Sequence, residues 1–147
     1  MRVLVASDHG GFELKQLLVT RLHGLGHEVI DLGTHGQAPV DYPDFAHALA
    51  ARLLAGDGER GVLACGTGIG VSIAANRHPG VRAALCHDAL TAEMARRHND
   101  ANVLCLGGRT IGPAVALQAL EIFLATPFDG GRHAGRVAAI EPKGESK

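Results

Sequence analysis

Gly61-Val62-Leu63-Ala64-Cys65-Gly66-Thr67-Gly68-Ile69-Gly70-Val71-Ser72-Ile73-Ala74-Ala75-Asn76 runs from an unbroken apolar stretch, through a loop with three glycines, into a segment that reads as a helix. An apolar run of this length with no alternation reads as a strand buried on both faces, the habit of parallel sheets. Four more runs have the same character, at 3–6, 28–32, 81–86 and 102–106. Helical spacings lie between them. Leu14, Leu17, Leu18, Leu22 and Leu25 fall on one helix face, with Lys15, Gln16 and Arg21 elsewhere. Ala46, Leu49, Ala50 and Leu53 do the same further on. Thr110-Ile111-Gly112-Pro113 opens another helix with Pro near its first turn, and Leu117, Leu120 and Leu124 give it a buried stripe. Gly24 and Gly26 end the first helix, and Gly56 and Gly58 the second.

Strand and helix therefore alternate from end to end. The expected fold class is α/β: a three-layer, doubly wound α/β/α sandwich around a Rossmann-like five-stranded parallel sheet. The 147 residues fit one domain, 1–147, with a C-terminal helix at about 130–140 and a polar tail, 141–147, expected to fray. Aromatics make up 3% of the chain and Trp is absent, so Ala, Val, Leu and Ile must build the core. Lys plus Arg number 14 and Asp plus Glu 15. That balance argues against nucleic acid or a membrane surface as partner, since both call for a basic excess. Cys65, Cys86 and Cys105 show no metal spacing and are odd in number, which reads as free thiols in a reducing, cytoplasmic compartment. The apolar run at 3–6 is too short for a signal peptide, and no apolar stretch reaches the ~20 residues of a membrane span.

In doubly wound folds the ligand sits beyond the carboxyl ends of the strands. Ser7-Asp8-His9-Gly10-Gly11 follows the first strand, the glycine loop the third, His87-Asp88 the fourth and Gly107-Gly108-Arg109 the fifth. Glycines at 66, 68 and 70 let the backbone turn sharply and present several N–H groups at the head of a helix, an arrangement suited to something negative. The bland alternative is a strand-to-helix turn that needs glycine for packing. A dinucleotide fingerprint, G-x-G-x-x-G, requires Gly at 71 or 73, where Val and Ile stand. A Walker A loop needs Lys and then Ser or Thr after its last Gly, but Val71 and Ser72 follow Gly70. A cysteine-phosphatase loop needs Arg at position 71. What remains is Cys65 at a strand end facing a nest of donors, where a thiol serves as nucleophile or as base.

Three further groups are candidates. Asp8 either caps its helix or binds a ligand. His98-Asn99-Asp100 closes the helix that begins near Asp88, either as an ordinary C-terminus or with His98 as an acid–base group. Arg132 and Arg136, four apart after Gly130-Gly131, share a helix face. They either clamp a phosphate or carboxylate or merely face solvent.

Taken together, Ser7-Asp8-His9-Gly10-Gly11-Phe12, Asp41-Tyr42-Pro43, the stretch from Cys65 to Gly70 with Ser72-Ile73-Ala74-Ala75-Asn76, His98-Asn99-Asp100-Ala101-Asn102-Val103-Leu104, and Gly130-Gly131-Arg132-His133 with Arg136 resemble the ribose-5-phosphate isomerase type B family, with the related allose- and galactose-6-phosphate isomerases. The resemblance spans nearly the whole chain. It implies conversion of an aldose phosphate to a ketose phosphate through a cis-enediolate, with no cofactor and no metal. Cys65 then resembles the base that moves the proton between C1 and C2. Thr67 and the N–H groups of Gly66, Gly68, Ile69 and Gly70 would hold the enediolate oxygens. His98 resembles the group that opens the furanose ring, with Asp8 placing hydroxyls. Asn99 would contact the sugar, Tyr42 would line the pocket, and His9, Arg132 and Arg136, assisted by Arg109, would hold the phosphate. Some relatives use a carboxylate from the following helix in place of the Cys; Ser72, Ala74 and Ala75 offer none. The family further implies a homodimer, or a dimer of dimers, with sites shared between subunits and the C-terminal helix lying over the partner's site. The expected substrate pair is D-ribose 5-phosphate and D-ribulose 5-phosphate. The rivals are allose or galactose 6-phosphate and, from another class, a non-catalytic sugar-phosphate-binding module.

Overall fold

A computed structural model describes residues 1–144. Five strands, β1 (Arg2–Ser7), β2 (Glu28–Asp31), β3 (Arg60–Cys65), β4 (Ala83–Leu85) and β5 (Val103–Gly107), form one all-parallel sheet in the order β2-β1-β3-β5-β4. Six helices connect and cover them: α1 (Phe12–Gly24), α2 (Tyr42–Leu54), α3 (Ile69–Ala75), α4 (Ala89–Arg97), α5 (Pro113–Ala125) and α6 (Arg132–Ala138). The expected three layers are present, and β1 and β3 are neighbours, so the loops that follow them share one edge of the sheet. No helix among the described residues is long and apolar enough to cross a membrane.

Strand alternation sorts the core into two halves. Val3, Val5, Val62, Ala64, Leu104 and Leu106 point to one face, where α1, α4 and α5 cover them with Leu18, Ala92, Leu120 and Phe123. Leu4, Ala6, Leu63, Cys65 and Cys105 point to the other, under Leu49 and Ala50 of α2 and Val71 and Ala75 of α3. With few aromatics the layers must approach closely, and glycine makes that possible at the site. A Cβ at Gly11 would lie 2.5 Å from the backbone carbon of Ala64, so only glycine lets the head of α1 rest on β3.

The reading of α1 needs correction. Leu17 and Leu25 are 44% and 42% exposed, whereas Lys15 is fully buried. Its stem lies along the apolar layer and its ammonium reaches both oxygens of Asp31 at 2.6 and 2.8 Å, an ion pair that lets a charge occupy a core position. β4 is also shorter than the apolar run at 81–86. Arg82 N–H donates to the Asn102 side chain (2.8 Å), and the Asn76 amide pairs with both the N–H and the carbonyl of Ala83 at 2.8 Å, closing the sheet edge. In the tail, Glu141 accepts a hydrogen bond from Gly80 N–H (2.6 Å), so its first residue is tied down; the part of the expected fraying at 145–147 lies outside the described residues.

Gly11 and Gly24 give a paired test. Nothing lies within 4 Å of a Cβ built at Gly24, the last residue of α1. Gly11→Ala is expected to lower stability by at least about 1–3 kcal/mol through overpacking. Gly24→Ala should be neutral or stabilising by up to about 1 kcal/mol. Urea unfolding of both variants against the parent chain checks the contrast.

Candidate active site

Parallel pairing brings the ends of β1, β3 and β5 level. Ser7 faces Ala64 and Cys65 faces Gly107 in register. The loops beyond these ends are then laced together. Gly108 N–H donates to the Cys65 carbonyl (2.9 Å) and Arg109 N–H to the Gly66 carbonyl (2.8 Å). A Cβ on Gly10 would be 3.1 Å from Gly66 N, one on Gly66 would be 3.2 Å from the Arg109 guanidinium, and one on Gly70 would be 2.6 Å from the Tyr42 ring. Asp8, His9, Tyr42, the loop 65–70 and Arg109 are therefore gathered at one place.

Cys65 is 5% exposed, and its Sγ accepts the N–H of Gly68 at 3.1 Å. Gly68 reaches that position with φ +77°, and a Cβ there would strike Leu85 at 2.6 Å and the Leu106 backbone at 2.9 Å. Thr67 Oγ1 accepts from Ile69 N–H at 3.2 Å. The N–H groups of Gly66, Thr67 and Gly70 have no partner among the described residues. Free donors beside a sulfur can receive charge that develops on oxygen while the sulfur handles a proton. α3 is only seven residues long, so this pull comes from the local N–H groups rather than from a long helix dipole. Cys86 and Cys105 differ in kind: burial pushes the Cys86 thiol up to about 11 and raises the Cys105 thiol well above its ordinary value.

Asp8 caps the single 3-10 turn, His9–Gly11, that leads into α1. Its Oδ1 accepts Gly11 N–H at 3.0 Å, and the side chain is nearly buried. His9 Nδ1 accepts Val40 N–H at 3.1 Å. The ring proton of neutral His9 is therefore on Nε2. A cleft of about 460 Å³ is lined by His9, Gly10, Arg109 and, unforeseen, Glu13 and Gln37. Those two are joined to each other at 3.2 Å; nothing in their spacing marks them.

His98, Asn99, Arg132 and Arg136 also come together, but elsewhere. They line a second cleft of about 350 Å³ with His133 and Val137. α4 starts beyond the carboxyl end of β4 and runs back against the strands. The turn at 98–102 therefore sits at the amino ends, where Asn102 accepts from Gly61 N–H (2.9 Å) and Arg82 N–H (2.8 Å). With Cys65 level with the last residue of β5, the two clusters are separated by roughly 15 Å along the strand direction. Within one chain the structure does not bring His98 to Cys65.

The C-terminal helix has contacts of its own on this chain. The ring of His133, buried, stacks on His98 with centroids 4.3 Å apart and planes at 12°. Burial, then His98 and Arg132, lowers the His133 pKa, while Arg97, bonded at 3.1 and 3.2 Å, holds the Asp129 carboxyl below the usual range. His98, Asp129 and His133 offer ligand atoms within 4.8 Å of one another. Parallel stacked rings point their lone pairs side by side rather than at one ion, and the carboxylate already serves Arg97, so this trio is poorly arranged as a metal centre. His133 was not among the expected site residues, although it adjoins Arg132 in the same stretch.

A model of the family described as Ribose/Galactose Isomerase matches residues 3–140. The chain is 42% identical over 139 residues to ribose-5-phosphate isomerase B of Escherichia coli strain K12, covering 95% of this chain and 93% of that protein. Among solved structures, ribose-5-phosphate isomerase B of Clostridium thermocellum superposes with a TM-score of 0.94 at 49% identity, over 95% of both chains. Ribose 5-phosphate isomerase B of Anaplasma phagocytophilum superposes with a TM-score of 0.90 at 50% identity, over 95% of this chain and 96% of that one.

The contrast among the thiols has a direct readout. Cys86 and Cys105 are expected to stay unmodified when the native protein meets iodoacetamide at pH 8, because both remain buried thiols there. Both should be alkylated once the chain is unfolded in denaturant. Mass spectrometry of the digested protein reads each site separately.

Proposed function

This chain belongs to the ribose/galactose isomerase family, an aldose–ketose isomerase family, and from there we propose that it interconverts D-ribose 5-phosphate and D-ribulose 5-phosphate through a cis-enediolate, with Cys65 as the base. One observation carries the assignment: Gly68 N–H on the Cys65 sulfur, with the unpartnered N–H groups of Gly66, Thr67 and Gly70 beside it. Isomerisation needs little else at the reacting carbons. The thiolate takes the proton from C2 of the open-chain aldose, and the electron pair moves onto the C1 oxygen. The loop donors stabilise that oxyanion, where a single preorganised donor contributes about 2.7–4 kcal/mol. The proton of the C2 hydroxyl passes to the C1 oxygen and the thiol returns its proton to C1, which gives the ketose, so atoms and electrons balance with no cofactor.

The substrate arrives mainly as a furanose, and opening it requires a proton on O4 as the C1–O4 bond breaks. His98 is the group proposed for that step, with Asn99 on the sugar and Asp8 placing hydroxyls. Arg132 and Arg136, with His9 Nε2 and Arg109, hold the phosphate. These groups lie at opposite ends of one sheet, and a second copy of the chain supplies the missing half. The separation of the two clefts and the presence in each of only half the required groups support this shared site. The arrangement is then an isologous dimer with two sites, each built from both subunits.

Two experiments test this reading. Ribose, allose and galactose phosphates are assayed in the presence of a chelator; ribose 5-phosphate is expected to be the preferred substrate, and Cys65→Ala to lose about 100-fold or more in kcat with an unchanged melting temperature. Full activity in that variant removes Cys65 from the mechanism. Co-refolding Cys65→Ala with His98→Asn tests the shared site. Each variant alone should be inactive, whereas a statistical mixture should recover about a quarter of the wild-type rate, since half the dimers then hold one intact site of two. No recovery places both groups in one subunit's site.

A further inference from the structure

The turn that carries His98 and Asn99 stops α4 with an uncommon residue. Ala101 N–H donates to the Ala95 carbonyl (2.9 Å) and Asp100 N–H to the Arg96 carbonyl (3.2 Å), the second being the 5→1 bond of a left-handed helix cap. The left-handed position in such a turn belongs by preference to glycine, which has no Cβ to crowd the carbonyl. Here it is Asp100, with φ +45°, the one non-glycine residue with positive φ among the described residues.

Its side chain does what glycine could not. Oδ1 accepts from Arg96 Nη1 at 3.0 Å and Oδ2 from Arg82 Nη2 at 3.1 Å, while the Asp100 carbonyl accepts from Arg82 Nε at 2.8 Å. The Arg96 side chain is 3% exposed. Its guanidinium also donates to the carbonyl of Ala101 and, through Nε, to that of Thr126 at 3.2 Å. Thr126 caps α5, and the chain runs on from there to Arg132 and Arg136. One carboxylate and two arginines thus tie the His98–Asn99 turn both to the sheet and to the segment that bears the arginine pair.

We infer that Asp100, clamped by Arg82 and Arg96, is a positioning residue that aims His98 for ring opening. It touches no reacting atom. The inference rests on the proposed role of His98, and it separates two steps of the reaction. Ring opening depends on where His98 sits, and a misplacement of about 1 Å can cost on the order of 100-fold. Proton transfer at C2 depends on Cys65, which in the proposed shared site comes from the second copy of the chain and not from the turn that Asp100 holds.

The experiment compares ribose 5-phosphate with its 4-deoxy analogue, which lacks the O4 needed to close a furanose. Asp100→Gly keeps the backbone at ease and removes the carboxylate; Asp100→Asn keeps one acceptor oxygen and a residue type that tolerates positive φ. At saturating substrate Asp100→Gly is expected to lose about 10- to 100-fold in kcat on ribose 5-phosphate and to stay within about twofold on the analogue, with Asp100→Asn in between. An equal change on both substrates, including no change, overturns the inference, since a merely structural residue would move both alike. If Asp100→Gly gives no cooperative melt, Asp100→Asn is judged by the same criterion. A wild-type protein inert on both substrates defeats the isomerase reading itself, an outcome distinct from equal changes in an active enzyme.

Discussion

A parallel sheet has two unlike ends, and almost everything about this site follows from that polarity. Every strand delivers its following loop to the carboxyl edge, so the loops after β1, β3 and β5 meet there without any long excursion. Every connecting helix must return to the amino edge before the next strand can begin. α4 does so with His98 at its end. The Cys65 loop and the cluster of His98, Asn99, Arg132 and Arg136 are thereby pushed apart in one chain by the same rule that gathers each set.

Three cysteines show how strongly surroundings outweigh residue type. Cys86 and Cys105 are held among apolar side chains, where burial disfavours a charged sulfur and their thiols are raised. Cys65 is nearly as buried but ends its strand under a backbone N–H donor. Gly68 is what allows that donor to turn toward the sulfur. Its left-handed backbone and the lack of space for a Cβ between Leu85 and Leu106 leave no other residue at that position.

The five parallel strands and the loops beyond their carboxyl ends were legible because buried parallel strands are written as unbroken apolar runs and tight approaches as glycines; the strand order, with β1 beside β3, was not, since the runs carry no record of which strands pair. Asp8, His9, Tyr42, Cys65 and Arg109 could be assembled from that alone or from the family resemblance. Lys15 could not: on a helix face a charged residue reads as the solvent side, and its partner Asp31 lies sixteen residues away in another element. Glu13 and Gln37 carry no spacing signal, since their pairing across the cleft exists only in three dimensions. The separation of His98 from Cys65 was readable in principle. A helix that starts after one parallel strand and ends before the next must finish at the opposite edge.

That separation also constrains how two copies can meet. In an isologous contact each surface is used twice, so a carboxyl-edge cluster on one subunit facing an amino-edge cluster on the other creates two identical composite sites at once. The exposed side chains of Ile69 and Ile73, one turn apart on α3, lie directly after the glycine loop. They are four residues apart and share a face, which gives the carboxyl edge an apolar rim beside its polar groups. On the other edge, α6 is anchored to its own chain by His133 rather than swinging free. Arg132 and Arg136 are therefore presented as a preformed pair on a fixed helix. A pair held this way would lose less conformational freedom on closing on an anion than one carried on a loose arm, and that is what the proposed shared site would gain from a clamp built on the second copy's scaffold.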